Sequence, residues 1–519
     1  MMEKPSLSRR DFLKLSALAA GSAVAGASQV LSPEPLPETY KPNLLIFVFD
    51  AMSARHLSLY GYPRRTTPNL EKFAERASVY HTHYSTGNFT TTGTASMLTG
   101  MYPWTHRAIN YRGMVERTLA DRNLFHLVGK EYTRLAFTQN LWANVLLSQF
   151  EKDLDAHPPC DLYSQVVQSL FQPDDLKHDR ALAYYVFQDF LNLRSEEPHP
   201  FPGSLLIGST ELSQAIITSD RQHISVDYPR GLPTVYDFAY ENAAVFEGIN
   251  RLIQNSLPRS LPYLGYFHFW SPHGPYNARK DFIGIFQDDL PYHAKPRHAI
   301  AGDDFSQEDM QKSCREYDEL IANVDAEFGR VISDLERSGV LQNSYVIVTS
   351  DHGDLFERGE IGHASALMYA SVTHIPLLIR APGQGQRTDY HSMTSNLDLL
   401  PTLLKIVGKD VPDWIEGRLL PGFGGQENAS ASRSLFPMVA KDNPSFQQLK
   451  RATFTLLKGP YELFFFTGYP KHLDTFELYN LQEDPDELQD LFKEDINTAS
   501  QLKEELLDAI STANHNFEE

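Results

Sequence analysis

Asp351-His352-Gly353 closes the apolar run Tyr345-Val346-Ile347-Val348-Thr349-Ser350, which places a carboxylate and an imidazole where a buried strand ends. Carboxylate oxygen and imidazole nitrogen together suit a divalent metal ion. Two further segments repeat the design: the run 43–49 leads into Asp50, and the run 263–270 leads into Ser271-Pro272-His273-Gly274-Pro275. A lone acidic residue after a strand often only caps the next helix. Three strand ends carrying Asp, His and Asp-His predict a shared metal site, because open α/β sheets bind ligands outside the carboxyl ends of their strands.

A hydroxyl-rich segment could supply the reacting group. In Gly87-Asn88-Phe89-Thr90-Thr91-Thr92-Gly93-Thr94-Ala95-Ser96-Met97-Leu98-Thr99-Gly100, residues 94–98 predict a short helix with the threonines at its start. Helix N-termini offer unpaired N–H groups and partial positive charge to anions. A hydroxyl placed there beside a metal is well situated to become a nucleophile; ordinary capping is the competing reading.

Such groups need a sheet to hold them. Residues 43 to about 150 read as a strand, a helix over 68–77, the Thr/Gly-rich loop and an α/β unit near 134–140. Residues 150–235 mix His, Asp, Pro and aromatics without βα alternation, and read as a substrate-selecting insertion over the active face. Within it, the helical stretch 181–193 reads as packing. Over 316–339, Tyr317, Leu320, Ile321, Val324, Phe328, Val331, Ile332 and Leu335 recur every three or four residues, which predicts an amphipathic helix feeding the Asp351 strand. His374-Ile375-Pro376-Leu377-Leu378-Ile379 gives another short strand. Beyond about residue 425, the stretches 452–457 and 461–466 flank Lys458-Gly459-Pro460 as a hairpin, and an acidic helix over about 498–513 closes the chain. The expected fold is α/β: a mixed, mostly parallel sheet between helices over 43–425, with a small α+β subdomain over 426–519.

The opening Ser8-Arg9-Arg10-Asp11-Phe12-Leu13-Lys14, followed by a small apolar stretch ending Ala25-Gly26-Ala27, resembles a twin-arginine export signal. That stretch is too short and too rich in Ala and Gly for a stable membrane span. The expectation is therefore a signal over 1–27, a Pro/Ser-rich linker over 28–42, the twin-arginine machinery as partner, no stable span after signal removal, and a periplasmic or extracellular destination. With 66 acids against 46 bases, the net charge of −20 argues against nucleic acid or an anionic membrane as partner. Cys160 and Cys314 allow one disulfide without establishing it, and exclude a zinc site built mainly from cysteines.

Taken in order, Pro42 to Asp50, Thr67-Pro68-Asn69-Leu70, Leu98-Thr99-Gly100-Met101-Tyr102-Pro103, Pro272-His273-Gly274-Pro275-Tyr276, Ser350-Asp351-His352-Gly353-Asp354, Ile375-Pro376-Leu377 and Glu477-Leu478-Tyr479-Asn480-Leu481-Gln482-Glu483-Asp484-Pro485-Asp486-Glu487-Leu488 resemble a sulfatase-family member of the alkaline phosphatase superfamily. The resemblance covers about residues 42–490 and implies an alkaline-phosphatase/sulfatase-like fold. Sulfatases carry C/S-x-P-x-R ahead of Leu-Thr-Gly, and its first residue becomes formylglycine. Here those positions are Thr90, Thr92 and Thr94, and threonine cannot yield formylglycine because its β-carbon carries a methyl group. The family's second Asp is Ala51, and its sulfate-gripping Lys-x-His is replaced near Gln139-Asn140-Leu141.

The remaining set is similar to that of phosphoglycerol and phosphoethanolamine transferases, which use a Thr nucleophile. The resemblance thus implies one divalent ion on Asp50, Thr90, Asp351 and His352, with Mn²⁺ or Zn²⁺ favoured over Mg²⁺ or Ca²⁺, Thr90 as nucleophile and no formylglycine. It implies His273 on a non-bridging oxygen or leaving group, and His363 as a further oxyanion-binding histidine. His268 lies inside its strand and reads as structural; Thr91 is the alternative nucleophile if the register slips by one. The expected function is a secreted metal-dependent hydrolase cleaving a phosphodiester-type phosphate ester in a small-molecule, glycan or lipid-headgroup substrate. One alternative is a sulfuric ester hydrolase. Another is a non-catalytic binder of a sulfated or phosphorylated glycan, which Ala51 and the missing sulfate-gripping residues motivate.

Overall fold

Residues Asn43–Phe49 form strand β1, and its alternate side chains enter opposite cores: Leu45, Phe47 and Phe49 pack in one cluster, Leu44, Ile46 and Val48 in another. A strand apolar at every position from Leu44 to Phe49 must be covered on both faces. Each such side chain, fully buried, contributes about 1.5–3 kcal/mol. In this computed structural model, residues 41–164, 166–167 and 226–515 are described, apart from 112, 236–237, 257–260, 289, 291, 293–294 and 427–432. Residues 1–27, expected to be a signal, and 181–193, expected to be helical, lie outside the described residues, as does most of the expected insertion over 150–235.

β1 is central to a seven-stranded sheet with β2 (Ser78–Tyr80), β3 (Thr133–Thr138), β4 (Tyr263–Phe269), β5 (Ser344–Ser350), β6 (Leu377–Arg380) and β7 (Thr388–Tyr390), in the order β7-β2-β6-β5-β1-β4-β3. β1, β3, β4 and β5 are mutually parallel, while β6 runs against both β5 and β2. Helix α1 (Pro68–Ala74) covers one face, and α2 (Thr90–Thr99) and α3 (Leu141–Gln149) the other; α4 (Asn242–Arg251) and α5 (Gln307–Arg337) join α1, and α6 (Leu399–Ile406) joins α2. α5 begins at Gln307 rather than Glu316. Its first turns are largely exposed and so carry little apolar periodicity, but the Ser306 hydroxyl accepts the Asp309 N–H at 3.1 Å, and Glu308 and Asp309 suit the positive helix end.

The predicted hairpin is present within a five-stranded antiparallel sheet of β8 (Ser434–Leu435), β9 (Met438–Val439), β10 (Ala452–Lys458), β11 (Tyr461–Thr467) and β12 (Thr475–Asn480). Helix α7 (Ile496–His515) packs Ala499, Leu502 and Leu506 on one side of it. Val439, Phe464, Phe466 and Tyr479 on the other side join a cluster with Leu355, Tyr369 and Phe89, the residue before Thr90. The C-terminal sheet therefore buttresses the start of α2. Cys160 and Cys314 form no disulfide. No described helix is long and apolar enough to cross a membrane.

Candidate active site

Strand register decides which side chains meet. Phe49 is level with Phe269 and Ser350, so Asp50 and Asp351 emerge together at the carboxyl edge. Val48 is level with His268, and His268 with Thr138. Side chains alternate between faces with a period of two. Asp50, two residues past Val48, shares the Val48 face, as does His268; Asn140, two past Thr138, keeps the same parity. That is the face covered by α2, whose first residue is Thr90.

The groups converge. Among Asp50, Asp351 and His352, one potential ligand atom from each lies within 4.8 Å of the others. His352 Nε2 is 3.4 Å from Asp50 Oδ1, 3.6 Å from Asp351 Oδ2 and 3.5 Å from Thr90 Oγ1. Asn140 Nδ2 donates to Asp50 Oδ2 and, at 3.0 Å, to Thr90 Oγ1. The other imidazole nitrogen of His352 is held by the Gly353 carbonyl at 2.9 Å, which leaves Nε2 for the cluster. Thr91 Oγ1, the alternative nucleophile, has no hydrogen-bond partner among the described residues, and it is Thr90 that faces His352.

Local backbone is shaped to allow this approach. An added Cβ at Gly93, one turn into α2, would overlap the Asp351 carbonyl oxygen, so glycine lets the helix start touch the ligand strand. Ala51 adopts φ 60°, strained for a residue with a β-carbon, and directs its N–H to Asp351 Oδ1 at 3.2 Å. Tyr317 of α5 holds that turn, donating its hydroxyl to the Ala51 carbonyl at 2.6 Å.

Asp50, Asp351, His268 and His352 are all fully buried. Burial opposes ionisation of Asp50, but the charges of His273, His352 and His268 hold its carboxyl well below the usual range, with His352 Nε2 3.4 Å from its Oδ1. Asp351 is pushed up by burial and by the charge of Asp50. His352, against the pull of burial, is raised to about 9 by Asp351 and Asp50. Asp50 Oδ1, Asp351 Oδ2 and His268 Nε2 find no hydrogen bond among the described residues. Buried polar atoms left unpaired are costly, and an oxygen–nitrogen donor set of this kind fits a divalent cation.

His273 and His363 flank the cluster: the His363 ring lies 4.2 Å from that of His352 and 4.8 Å from that of His273, centroid to centroid. His363 Nδ1 meets Asp354 Oδ1 at 2.6 Å, and Asp354 Oδ2 accepts the Tyr276 hydroxyl at 2.9 Å. Asp354 thereby fixes the ring orientation of His363. Burial raises Asp354 to about 6, although His273, His352 and Tyr276 oppose the shift. Burial and the neighbouring His352 push His363 well below the usual imidazole range.

Each candidate residue from the sequence thus lies at one edge, and three further residues stand with them. His268, read as structural, has its Nε2 3.5 Å from Asp351 and 3.8 Å from Asp50. Its parity with the core residues Leu264 and Tyr266 gave no sign of this; the register with β1 does. Asn140, read as part of a lost Lys-x-His, instead joins Asp50 to Thr90. Asp354, quoted only as part of a motif, orients His363.

A mostly parallel sheet with this constellation at its carboxyl edge is the architecture of the alkaline phosphatase superfamily. A family profile described as Sulfatase matches residues 42–409, and one described as N-sulphoglucosamine sulphohydrolase, C-terminal, matches residues 359–513. The chain belongs to the sulfatase family, whose enzymes act on sulfate and on phosphate or phosphonate esters. It is 24% identical over 482 residues to a choline-sulfatase of Rhizobium meliloti (strain 1021), covering 86% of this chain and 83% of the relative. It is 30% identical over 210 residues to arylsulfatase K of Xenopus laevis, covering 39% and 36%. Among solved structures, one in complex with its substrate D-glucosamine-2-N,6-O-disulfate superposes with TM-score 0.64 at 17% identity, covering 92% of this chain and 98% of that one. A phosphonate monoester hydrolase from Silicibacter pomeroyi superposes with TM-score 0.62 at 18% identity, covering 91% and 96%.

Proposed function

We propose that this chain is an exported, metal-dependent hydrolase of phosphodiester-type phosphate esters, with Thr90 as nucleophile. The observation that carries the reading is the Thr90 hydroxyl at the start of α2, within reach of both His352 Nε2 and Asn140 Nδ2, with Asn140 also bonded to Asp50. Asp50, Asp351, His352 and Thr90 would hold one divalent ion, with Mn²⁺ or Zn²⁺ better matched than Ca²⁺ to a set containing imidazole. When bound, the ion supplies charge neutralisation and lowers the pKa of the hydroxyl.

The chain's own groups do the rest. Thr90 gives its hydroxyl proton to solvent, and its Oγ forms a bond to phosphorus as the ester oxygen departs with its electron pair and takes a proton from solvent or from a flanking imidazole. Water then attacks the phospho-threonine and returns the hydroxyl to Thr90. His273 and His363 contact the non-bridging or leaving oxygen, and Asp354 holds His363 in place. A sulfo-threonine would lack the hemiacetal collapse that formylglycine provides, which is why Thr90 favours phosphorus over sulfur.

The second reading, a sulfuric ester hydrolase, is favoured by the names of the choline-sulfatase and arylsulfatase K relatives and by the disulfated-glucosamine complex. Matched aryl phosphodiester, phosphonate monoester and sulfate substrates, tried with Mn²⁺, Zn²⁺, Mg²⁺ and Ca²⁺ in turn, separate the two. Faster cleavage of the phosphorus esters is expected; cleavage of sulfate alone would replace the leading reading, and turnover of none would leave a binding protein. For export, replacing Arg9 and Arg10 with Lys is expected to retain the protein in the cytoplasm, since the twin-arginine receptor reads both guanidinium groups. Unchanged export of that double variant in a fractionation assay would remove the assignment.

A further inference from the structure

Lys441 lies just beyond β9 in the C-terminal sheet, half-buried. Its ammonium donates to the His363 carbonyl at 2.8 Å and stands 4.9 Å from the ring centroid of Phe89 and 5.2 Å from that of Tyr111. Phe89 immediately precedes Thr90, and the His363 ring packs on His352 and His273. The charge therefore borders the reacting centre from two sides. It bonds the backbone of His363 rather than the ring.

No carboxylate among the described residues hydrogen-bonds or ion-pairs with Lys441. Burial lowers it to about 7, with Asp442 and Glu360 opposing only in part. An ammonium carries three donors, and one is used here. Ring faces help hold a cation, but they do not neutralise it. A half-buried lysine whose nearest opposite charges, Asp442 and Glu360, act on it without bonding to it is unusual in a chain of net charge −20. The sulfate-gripping Lys-x-His of the family is replaced near Gln139-Asn140-Leu141.

We propose that Lys441 is a substrate-binding residue whose ammonium takes a second anionic group, a carboxylate or an oxyanion ester, borne on the alcohol portion beside the reacting ester. The proposal rests on the reading of Asp50, Thr90, Asp351 and His352 as the reacting centre, and adds that the substrate is at least doubly charged. A charge-assisted hydrogen bond of this kind changes affinity by roughly tenfold to a hundredfold.

The test is calorimetric binding of phenylphosphonate and its 3- and 4-carboxy derivatives to Mn²⁺-loaded full-length protein, as wild type, Lys441→Gln and Lys441→Arg. At least one carboxy derivative is expected to bind wild type about tenfold or more tighter than phenylphosphonate. That gain disappears in Lys441→Gln and is largely kept in Lys441→Arg, while phenylphosphonate binds all three alike and so reports an intact site. No gain in wild type, a gain that survives Lys441→Gln, or equal loss of all three probes in that variant would overturn the proposal. Failure of wild type to bind phenylphosphonate at all would defeat the reading of the reacting centre itself.

Discussion

Thr90→Ala is expected to lower turnover by roughly 10⁴-fold or more while the fold survives, as removal of a nucleophile does in enzymes whose groups act as a unit. The hydroxyl is 3.5 Å from His352 Nε2 and 3.0 Å from Asn140 Nδ2, so its loss removes both the attacking atom and one ligand candidate. The alanine methyl still fills most of the space, and alanine is a better helix former than threonine. Thr90→Ser is expected to retain part of the activity, because the hydroxyl remains but the methyl that restricts its rotamer is gone. Enzyme quenched during turnover of a slow phosphodiester should carry phosphate on the peptide containing Thr90 by mass spectrometry. Near-native activity of Thr90→Ala, or phosphate on Thr91, would displace Thr90 from its role.

Removing either carboxylate is the other large effect. Asp50→Ala and Asp351→Ala are each expected to reduce bound divalent ion from about one per chain to none by elemental analysis, with activity lost in parallel. The metal-free protein should respond in the opposite sense at Asp351. There, two buried carboxylates repel, and burial plus the charge of Asp50 push Asp351 up. Asp351→Asn should therefore be neutral or stabilising in thermal melts after chelation. Ion binding must also displace the proton of His352, which is raised to about 9, so affinity should rise with pH across the neutral range. The sign for the chelated protein is the reverse. The folded pKa of His352 lies above its ordinary value of 6.5, so its contribution to stability is complete below about pH 6.5 and fades as pH rises toward 9. Metal competition against a chromogenic chelator at pH 6 and pH 8 checks the direction; stronger binding at pH 6 would rule out this donor set.

Local sequence determined the strands and the residues at their ends. An uninterrupted apolar run such as 44–49 has only one stable placement, buried on both faces, and the first polar residue after it must leave the sheet at the carboxyl edge. Asp50, Asp351 and His352 were legible for that reason, and so was the hairpin around Lys458-Gly459-Pro460. Thr90 was legible through the hydroxyl run and the resemblance together, although the helix begins at Thr90 itself rather than at Thr94. The start of α5 was not, because its exposed first turns show no apolar period.

Tertiary structure alone decided who stands beside whom. His268 lies inside β4 and reads locally as core; only the parallel register, with His268 level with Val48, turns it toward Asp50 and Asp351. Asn140 follows β3, at the edge of the seven-stranded sheet, and becomes a partner of Asp50 and Thr90 because β4 lies between β3 and β1 in the strand order. Lys441 follows β9 of a different sheet, and reaches His363 because Val439, Phe464 and Phe466 share a buried cluster with Phe89. Polarity and periodicity report how a residue sits within its own element. Strand order, register and the packing of one sheet on another depend on contacts between residues far apart in the chain, and for these no local pattern carries a signal.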